Sequence, residues 1–142
     1  MTHVRSDPLS KLNRLIVWMC TAGRPRIFQK IVQILFHIEL PPLKHAVRMA
    51  HPYCIVVNPK VRIGENVTLF QGVTIGGKRE GRRAGVPTIE NDVVIYANAV
   101  VVGEITVGAG AQVGPGAVVF EDVPAGCTVV GNPAKLLVSK GN

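Results

Sequence analysis

Aliphatic residues return every six positions over most of this chain. The series consists of Val57, Ile63, Leu69 and Ile75, followed after a gap by Ile89, Ile95, Val101, Val107, Val113 and Val119. Four positions after most of them stands a second small or β-branched residue: Val61, Val67, Val73, Val93, Ala99, Ile105, Ala111, Ala117 and Val123. Six residues are too few for a helix and a turn, so each repeat is predicted to be a short strand followed by a turn.

Stacking gives these short strands a way to bury their aliphatic faces. One short strand cannot bury its face alone, whereas successive coils enclose a continuous aliphatic column. Glycine follows the aliphatic residue in several repeats, as at Gly64, Gly76, Gly108 and Gly114. We expect a tight turn with positive φ at these glycines. The pattern as a whole predicts an all-β solenoid.

The first third of the chain has a helical period instead. Residues 9–23 carry apolar side chains at helical spacing, with Ser10 as a candidate N-cap and Gly23 as a stop. Residues 27–38 repeat this pattern before Pro41, which forbids continuation. Two amphipathic helices are therefore predicted. The predicted domains are a helical segment at 1–42, the solenoid at 43–137 with an inserted loop at 76–88, and a tail at 138–142.

Positive charge is concentrated in the same first third. The net charge is +7, and residues 1–48 carry eight Lys or Arg against two acidic residues. The predicted helices either pack on a neighbouring domain or subunit, or lie on the anionic inner face of a membrane. Nucleic-acid binding is disfavoured, because no aromatic residues are interleaved with the basic ones and no docking motif is present.

The cysteines indicate a reducing compartment. Cys20, Cys54 and Cys127 are odd in number and have no C-x-x-C spacing, so neither a disulfide framework nor a zinc site is indicated. No apolar run approaches the 18 to 20 or so residues of a membrane-spanning helix. A cytoplasmic protein without a metal is the expectation.

The repeat is interrupted between Ile75 and Ile89. These residues are fourteen positions apart, so a loop must leave the solenoid. Its glycines predict flexibility, and four basic residues against Glu80 make it suited to cover a bound anion. The basic residues are Lys78, Arg79, Arg82 and Arg83. A solvated basic loop without a ligand is the alternative.

Two residues too many also separate Met49 from Val57, and His51 lies in this excess. The coil cannot close regularly there and must bulge outward. An imidazole titrates near neutral pH, where a general base has to work. His51 is therefore the candidate base, although a single histidine also fits a structural role.

Several short runs resemble the hexapeptide repeats of a known family of acyltransferases. The runs are IGENVT from Ile63, VGAGAQ from Val107, VGPGAV from Val113 and the closing GNPAKL from Gly131. The resemblance covers roughly residues 43–137. It implies a left-handed parallel β-helix with three hexapeptides per coil, acetyl-CoA as co-substrate, and a homotrimer with active sites between subunits.

Within that family, HPYCIVVNP from His51 and LFQGVTIGG from Leu69 look most like the serine acetyltransferases and their relatives that O-acetylate bacterial polysaccharides. The twenty positions from His51 to Gln71 match that branch, which implies that His51 is the catalytic base. An acidic residue upstream orients the base in that branch. Glu39 is the nearest candidate, although it stands three residues closer to the histidine than the family acid.

The resemblance also implies a coenzyme site. Ala97 falls where a backbone N–H meets the thioester or pantetheine, and Lys135 falls where a basic side chain meets a phosphate. Pro115 stands at a further coenzyme position but has no N–H to offer. Gly77, Lys78 and Arg79 in the loop are predicted to bind coenzyme.

The acceptor is predicted from what this sequence lacks. Arg82, Arg83 and Val86 are the candidate acceptor-binding residues. Val86 stands where the serine acetyltransferases have a second histidine, and the long helical N-terminal domain of those enzymes is also absent. These differences favour a sugar hydroxyl in polysaccharide biosynthesis as acceptor. L-serine is the first alternative, and a catalytically silent scaffold is the second.

Overall fold

A computed structural model describes residues 26–39 and 47–137. These residues form helix α1, Arg26–Phe36, and thirteen strands of two or three residues. The strands are β1 Arg48–Met49, β2 Val56–Val57, β3 Arg62–Ile63, β4 Thr68–Leu69, β5 Thr74–Gly76, β6 Thr88–Ile89, β7 Val94–Ile95, β8 Val100–Val102, β9 Thr106–Val107, β10 Gln112–Val113, β11 Val118–Val119, β12 Thr128–Val130 and β13 Lys135–Leu136.

The strands stack into three sheets that surround one core. In order of pairing, sheet A contains β2, β5, β8 and β11, sheet B contains β1, β4, β7, β10, β12 and β13, and sheet C contains β3, β6 and β9. Neighbours pair in parallel, except that β13 returns antiparallel to β12. The chain visits sheets B, A and C in turn before it returns to B. This arrangement confirms the predicted β-solenoid.

Aliphatic side chains fill the interior as the period predicts. Both series of residues point inward, and all are buried except Ile63, which is partly buried. Each side of a coil therefore contributes one residue from a strand and one from the following turn. The buried hydrophobic side chains of the described residues are all aliphatic or methionine.

The prediction of positive φ at the glycines that follow the aliphatic residues is wrong. Positive φ occurs two positions later in the turn, as at Gly110 with φ 67°. Gly108 is needed because a Cβ there would lie 2.5 Å from the backbone nitrogen of Ala125. At Gly114 a Cβ would lie 2.7 Å from Cγ1 of Val130. These glycines allow close stacking, since neighbouring strands are only about 4.8 Å apart.

Strand register confirms the two-residue excess at His51. In the regular part of the solenoid, Ile95 pairs with Val113, eighteen positions later. At the first coil, Met49 pairs with Leu69, twenty positions later. The turn between β1 and β2 absorbs the difference.

The second irregular coil contains the predicted loop. Ile75 pairs with Val101, twenty-six positions later, which is eight more than a regular coil. The extra residues lie between β5 and β6, at the corner where sheet A meets sheet C. The loop therefore leaves the solenoid where the aliphatic period stops.

Helix α1 agrees with the second predicted helix, but most of its apolar face is exposed. Ile27, Ile31, Ile34 and Leu35 are between 48% and 72% exposed, whereas Ile38 is buried in the core. The first predicted helix, at 9–23, lies outside the described residues. Within the described ranges, no helix has the length and apolar content needed to cross a membrane.

Candidate active site

His51 lies in a turn at the corner between sheets B and A. The Tyr53 N–H donates to the carbonyl of His51 at 2.9 Å, and the carbonyl of Tyr53 accepts the N–H of Gly72 at 2.9 Å. Cys54 adopts φ 53°, which turns the chain back into β2. Pro52 is buried beneath the turn, whereas His51 is exposed. Backbone geometry therefore holds the imidazole outward, where it can meet a bound hydroxyl.

The corner below His51 continues as a ladder of stacked turns. The carbonyl of Gln71 accepts the N–H of Asn98 at 2.9 Å, and the carbonyl of Ala97 accepts the N–H of Gly116 at 2.9 Å. Ala97 lies two coils from His51, which is about 10 Å at the usual strand spacing. Among the described residues, the Ala97 N–H has no hydrogen-bond partner. A backbone donor is therefore available on the same corner as the imidazole.

Gln71 is a candidate site residue that the sequence analysis used only as a spacing landmark. It lies one coil from His51 on the same corner. Its side-chain Oε1 is buried and has no hydrogen-bond partner within the described part of the chain. A buried polar atom without a partner costs free energy, so at a candidate site it suggests that a ligand or second chain supplies the donor. No sequence pattern indicated this burial.

Glu39 lies at the open edge of sheet A. It forms a parallel bridge with Val56. Its N–H donates to the Ile55 carbonyl at 2.8 Å, and its carbonyl accepts the Val57 N–H at 2.7 Å. Its side chain is exposed, and in the described part of the chain no hydrogen bond or ion pair joins it to His51. The backbone of Glu39 thus extends the sheet, while its predicted role as orienting acid stays a prediction.

The predicted loop is a short hairpin. Lys78 and Gly85 exchange backbone hydrogen bonds of 2.8 and 2.9 Å at its base. Nζ of Lys78 donates to the Arg82 carbonyl at 2.8 Å, and the Ala84 N–H donates to the Gly81 carbonyl at 3.1 Å. These backbone and side-chain bonds tie both ends of the loop together, while the expectation that its glycines make it flexible stays a prediction.

Arg83 fastens the loop to the solenoid. Its Nη1 and Nη2 each lie 3.0 Å from a carboxylate oxygen, of Asp122 and Glu121 respectively. Its carbonyl accepts the Glu104 N–H at 2.8 Å. Asp122 also accepts the Thr106 N–H at 2.8 Å, and this hydrogen bond, together with Arg83, lowers the pKa of the carboxyl below its ordinary value. Asp122 in turn raises the pKa of Arg83. The predicted acceptor-binding guanidinium is therefore already engaged.

A cleft of about 450 Å³ separates this loop from the outer face of sheet A. Its floor is apolar and comes from Val102, Val118 and Phe120, while Lys78 and Arg82 line it from the loop. Phe120 is 47% exposed. The ion pair of Arg83 with Glu121 also lines the cleft, so its net positive charge comes from Lys78 and Arg82. This combination suits a ligand that has an apolar arm and anionic groups.

The remaining predicted site residues do not line this cleft. Val86 is half-buried and packs on the core, and a Cβ added to Gly77 would lie 3.1 Å from its Cγ1. Pro115 is exposed at the corner below Ala97, and Lys135 is exposed in β13. Arg79 faces solvent on the loop. Among the described residues, no group of three or more His, Cys, Asp or Glu could hold a metal ion.

Sheet A separates the two parts of the candidate site. His51 and Gly72 lie at its corner with sheet B, whereas Gly77 and the loop lie at its corner with sheet C. Five residues of extended chain connect Gly72 to Gly77, a span of about 17 Å. One chain therefore does not bring the imidazole and the basic loop together.

Comparison with known proteins points to one group. The family described as bacterial transferase hexapeptide (six repeats) matches residues 87–121. The serine acetyltransferase of Bacillus licheniformis is 43% identical over 121 residues, which cover 82% of this chain and 55% of that protein. The Helicobacter pylori serine acetyltransferase is 34% identical, over 79% of this chain and 67% of its own length. The chain thus spans about half the length of the first of these relatives.

A solved structure of the same group has a similar fold. Serine acetyltransferase from Brucella abortus strain S19, in complex with coenzyme A, superposes with a TM-score of 0.65 at 26% identity. The match covers 92% of this chain and 55% of that one. This likeness includes the parallel β-solenoid that carries both corners of the candidate site.

The prediction that the acceptor is a sugar hydroxyl in polysaccharide biosynthesis is wrong. The similar proteins and structures are serine acetyltransferases, which supports the alternative acceptor. The prediction depended in part on Val86 in place of a histidine. The structure gives Val86 a packing role against the core and Gly77, so the residue at this position does not identify an acceptor.

Proposed function

We propose that this chain, which belongs to the serine acetyltransferase branch of the hexapeptide-repeat acyltransferases, transfers the acetyl group of acetyl-CoA to the hydroxyl of L-serine. The outward turn that exposes His51 carries this proposal. The backbone holds the imidazole at a corner of the solenoid, and a backbone N–H without a partner lies two coils away at Ala97. A base on this corner suits acyl transfer, and a donor about 10 Å further along the corner suits the arm of the coenzyme.

His51 acts as the general base in the proposed reaction. It takes the proton of the serine hydroxyl as the oxygen attacks the thioester carbonyl. The tetrahedral intermediate then collapses, the carbon–sulfur bond breaks, and the imidazolium returns the proton to the leaving thiolate. The products are O-acetylserine and coenzyme A. Glu39 orients His51 only if its side chain turns toward the imidazole from the edge of sheet A.

The donor is proposed to lie along the solenoid. The N–H of Ala97 meets the thioester or the pantetheine arm, and the loop backbone at Gly77 approaches from the other corner. The side chains of Arg79 and Lys135 are proposed to meet phosphates, and so is Lys78, whose Nζ has further protons to donate besides the one bonded to the Arg82 carbonyl. Pro115 has no N–H, so it contributes surface only. Arg82, which lines the apolar cleft, is the remaining cation for the serine carboxylate.

Two copies of the chain are needed for this arrangement. Gly72 on the His51 corner and Gly77 at the base of the loop lie about 17 Å apart across sheet A, so the loop of one subunit faces the His51 corner of the next. Following the family resemblance, we propose a homotrimer with sites between subunits and a left-handed coil, and we also propose the division at 1–42, 43–137 and 138–142. The acetyl-CoA donor places the proposed reaction in the cytoplasm.

Thiol release from acetyl-CoA with L-serine as acceptor tests this function. Replacing a general base lowers turnover by about 10²- to 10⁴-fold, which is the loss expected for His51→Ala and for the similarly shaped His51→Asn. Wild-type turnover with L-serine and loss in both variants would support the proposal. Unchanged turnover in the variants would remove His51 from the mechanism, and no wild-type turnover would favour the silent scaffold.

A further inference from the structure

The backbone of Arg83 indicates that contacts hold this residue in place. It adopts φ 61°, a left-handed conformation that long side chains seldom occupy. The other loop residues with positive φ are Gly81 and Gly85, where glycine permits it. A non-glycine residue persists in this conformation when its surroundings stabilise it, and such residues are frequent at functional sites.

The surroundings of Arg83 provide this stabilisation through charge. The guanidinium bridges Glu121 and Asp122 at 3.0 Å each, and Nη1 also lies 3.4 Å from the carbonyl oxygen of Glu104. Two of its nitrogens are therefore paired with two different carboxylates. The arginine side chain is 25% exposed, and the carboxylates are 59% and 54% exposed. Asp122 is itself fixed by the N–H of Thr106.

Close backbone contacts add to the ionic ones. A Cβ at Gly103 would lie 3.0 Å from the carbonyl oxygen of Arg83, and a Cβ at Gly85 would lie 2.8 Å from the Cβ of Glu104. The loop can approach the solenoid this closely because glycine occupies both positions. It therefore rests on the corner of the two coils that follow it.

We propose that Arg83 is a positioning residue, and that its clasp with Glu121 and Asp122 holds the loop in its donor-binding conformation before acetyl-CoA arrives. This inference rests on the proposed function, because it assigns the loop to donor binding. Arg83 does not touch the substrate. It acts through the hairpin base at Lys78, which lies beside Gly77.

The alternative, that Arg83 itself binds an anionic ligand, fits these contacts less well. Two carboxylates already compensate its charge, and two of its nitrogens are committed to them. Arg82 and Arg79 are exposed and have no ion pair among the described residues. The clasp thus leaves these neighbouring cations available to a ligand while it fixes the backbone that carries them.

Limited digestion with trypsin tests the clasp independently of activity, because the loop contains cleavage sites after Lys78 and Arg79, whose flanking residues are the same in every variant. Arg83→Gly removes the side chain and accepts positive φ, while Glu121→Gln combined with Asp122→Asn removes the opposite charges. Both should increase cleavage at these sites by about tenfold, the effect of losing hydrogen bonds to a charged partner. The cleavage rate of Arg83→Lys should lie between the rates of these two variants and that of the wild type. Arg62→Gln, on the exposed face of sheet C, is the matched control and should behave like wild type.

The kinetic readout separates positioning from a purely structural role. With L-serine as acceptor, the KM for acetyl-CoA should rise about tenfold in Arg83→Gly while kcat changes less than about threefold. Loop cleavage that stays at the wild-type rate in both clasp variants would overturn the proposal. Cleavage that rises equally after Lys60, outside the loop, would overturn it too, because the whole solenoid would then have opened.

Failure of the clasp and failure of the proposed function give different results. If the wild-type protein transfers no acetyl group to serine but the clasp variants still expose the loop, the clasp stands as an anchor and its link to the donor is overturned. If serine is acetylated and the loop stays protected in every variant, the enzyme assignment stands and the clasp is wrong.

Discussion

The two interruptions of the repeat, the turn at His51 and the loop between β5 and β6, differ in how the solenoid holds them. The turn adds two residues, which the hydrogen bonds of Tyr53 with His51 and Gly72 help to close, and its imidazole is exposed. The loop adds eight residues and needs the Arg83 clasp and close glycine contacts as well. A longer insertion loses more conformational entropy when it is ordered, which side-chain contacts must offset. The turn presents the His51 side chain to solvent, whereas the loop forms one side of the cleft on sheet A.

Removing the turn should have the largest effect on activity. Deleting Pro52 and Tyr53 restores six-residue spacing between Met49 and Val57 and draws His51 into a regular corner. We expect kcat/KM with L-serine to fall by about 10²- to 10⁴-fold, because the base is misplaced. Circular dichroism should still report a folded solenoid. Activity within tenfold of wild type would show that the bulge is not needed to place the imidazole.

Removing the loop should have a smaller effect on activity. Deleting residues 78–85 joins Gly77 to Val86 and restores the regular repeat. Because the loop contributes no fully buried hydrophobic side chain among the described residues, we expect the melting temperature to change little. The KM for acetyl-CoA should rise by about 10- to 100-fold while His51 still supports turnover. An unchanged KM for acetyl-CoA would exclude the loop from donor binding.

The smallest expected effect is the pH dependence of the clasp. The N–H of Thr106, and then Arg83, lower the pKa of Asp122 below its ordinary value of 3.8. Its stabilisation is therefore complete above that value and is lost as the pH falls through the lowered pKa. Since these groups are partly exposed, Asp122→Asn should lower the melting temperature at neutral pH by at most about 3 °C. The difference should vanish in acid; a constant difference would indicate that the charge of Asp122 is not involved.

The pattern of residues predicts more of the fold than of the site. The inward positions, the excess at His51 and the exit of the loop all follow from counting six-residue steps. The positive φ was placed two residues early, because close stacking and a left-handed turn both select glycine and the sequence does not distinguish them. The partner of Arg83 was also missed, since Glu121 and Asp122 lie almost forty positions further along the chain. The sugar acceptor was inferred from two differences from the serine acetyltransferases, of which Val86 in place of a histidine is one, and the relatives contradict it.

The sequence by itself determined the solenoid and the two places where its period breaks, because an aliphatic column requires each inward position to recur at fixed spacing. Only the tertiary structure decided which charges pair across coils, that the oxygen of Gln71 is buried, and that sheet A separates His51 from the loop. These properties depend on which turns stack on one corner. Two residues that stack on one corner are separated along the chain by one coil, and each insertion changes the number of residues in that coil. The local sequence pattern therefore does not show which residues stack.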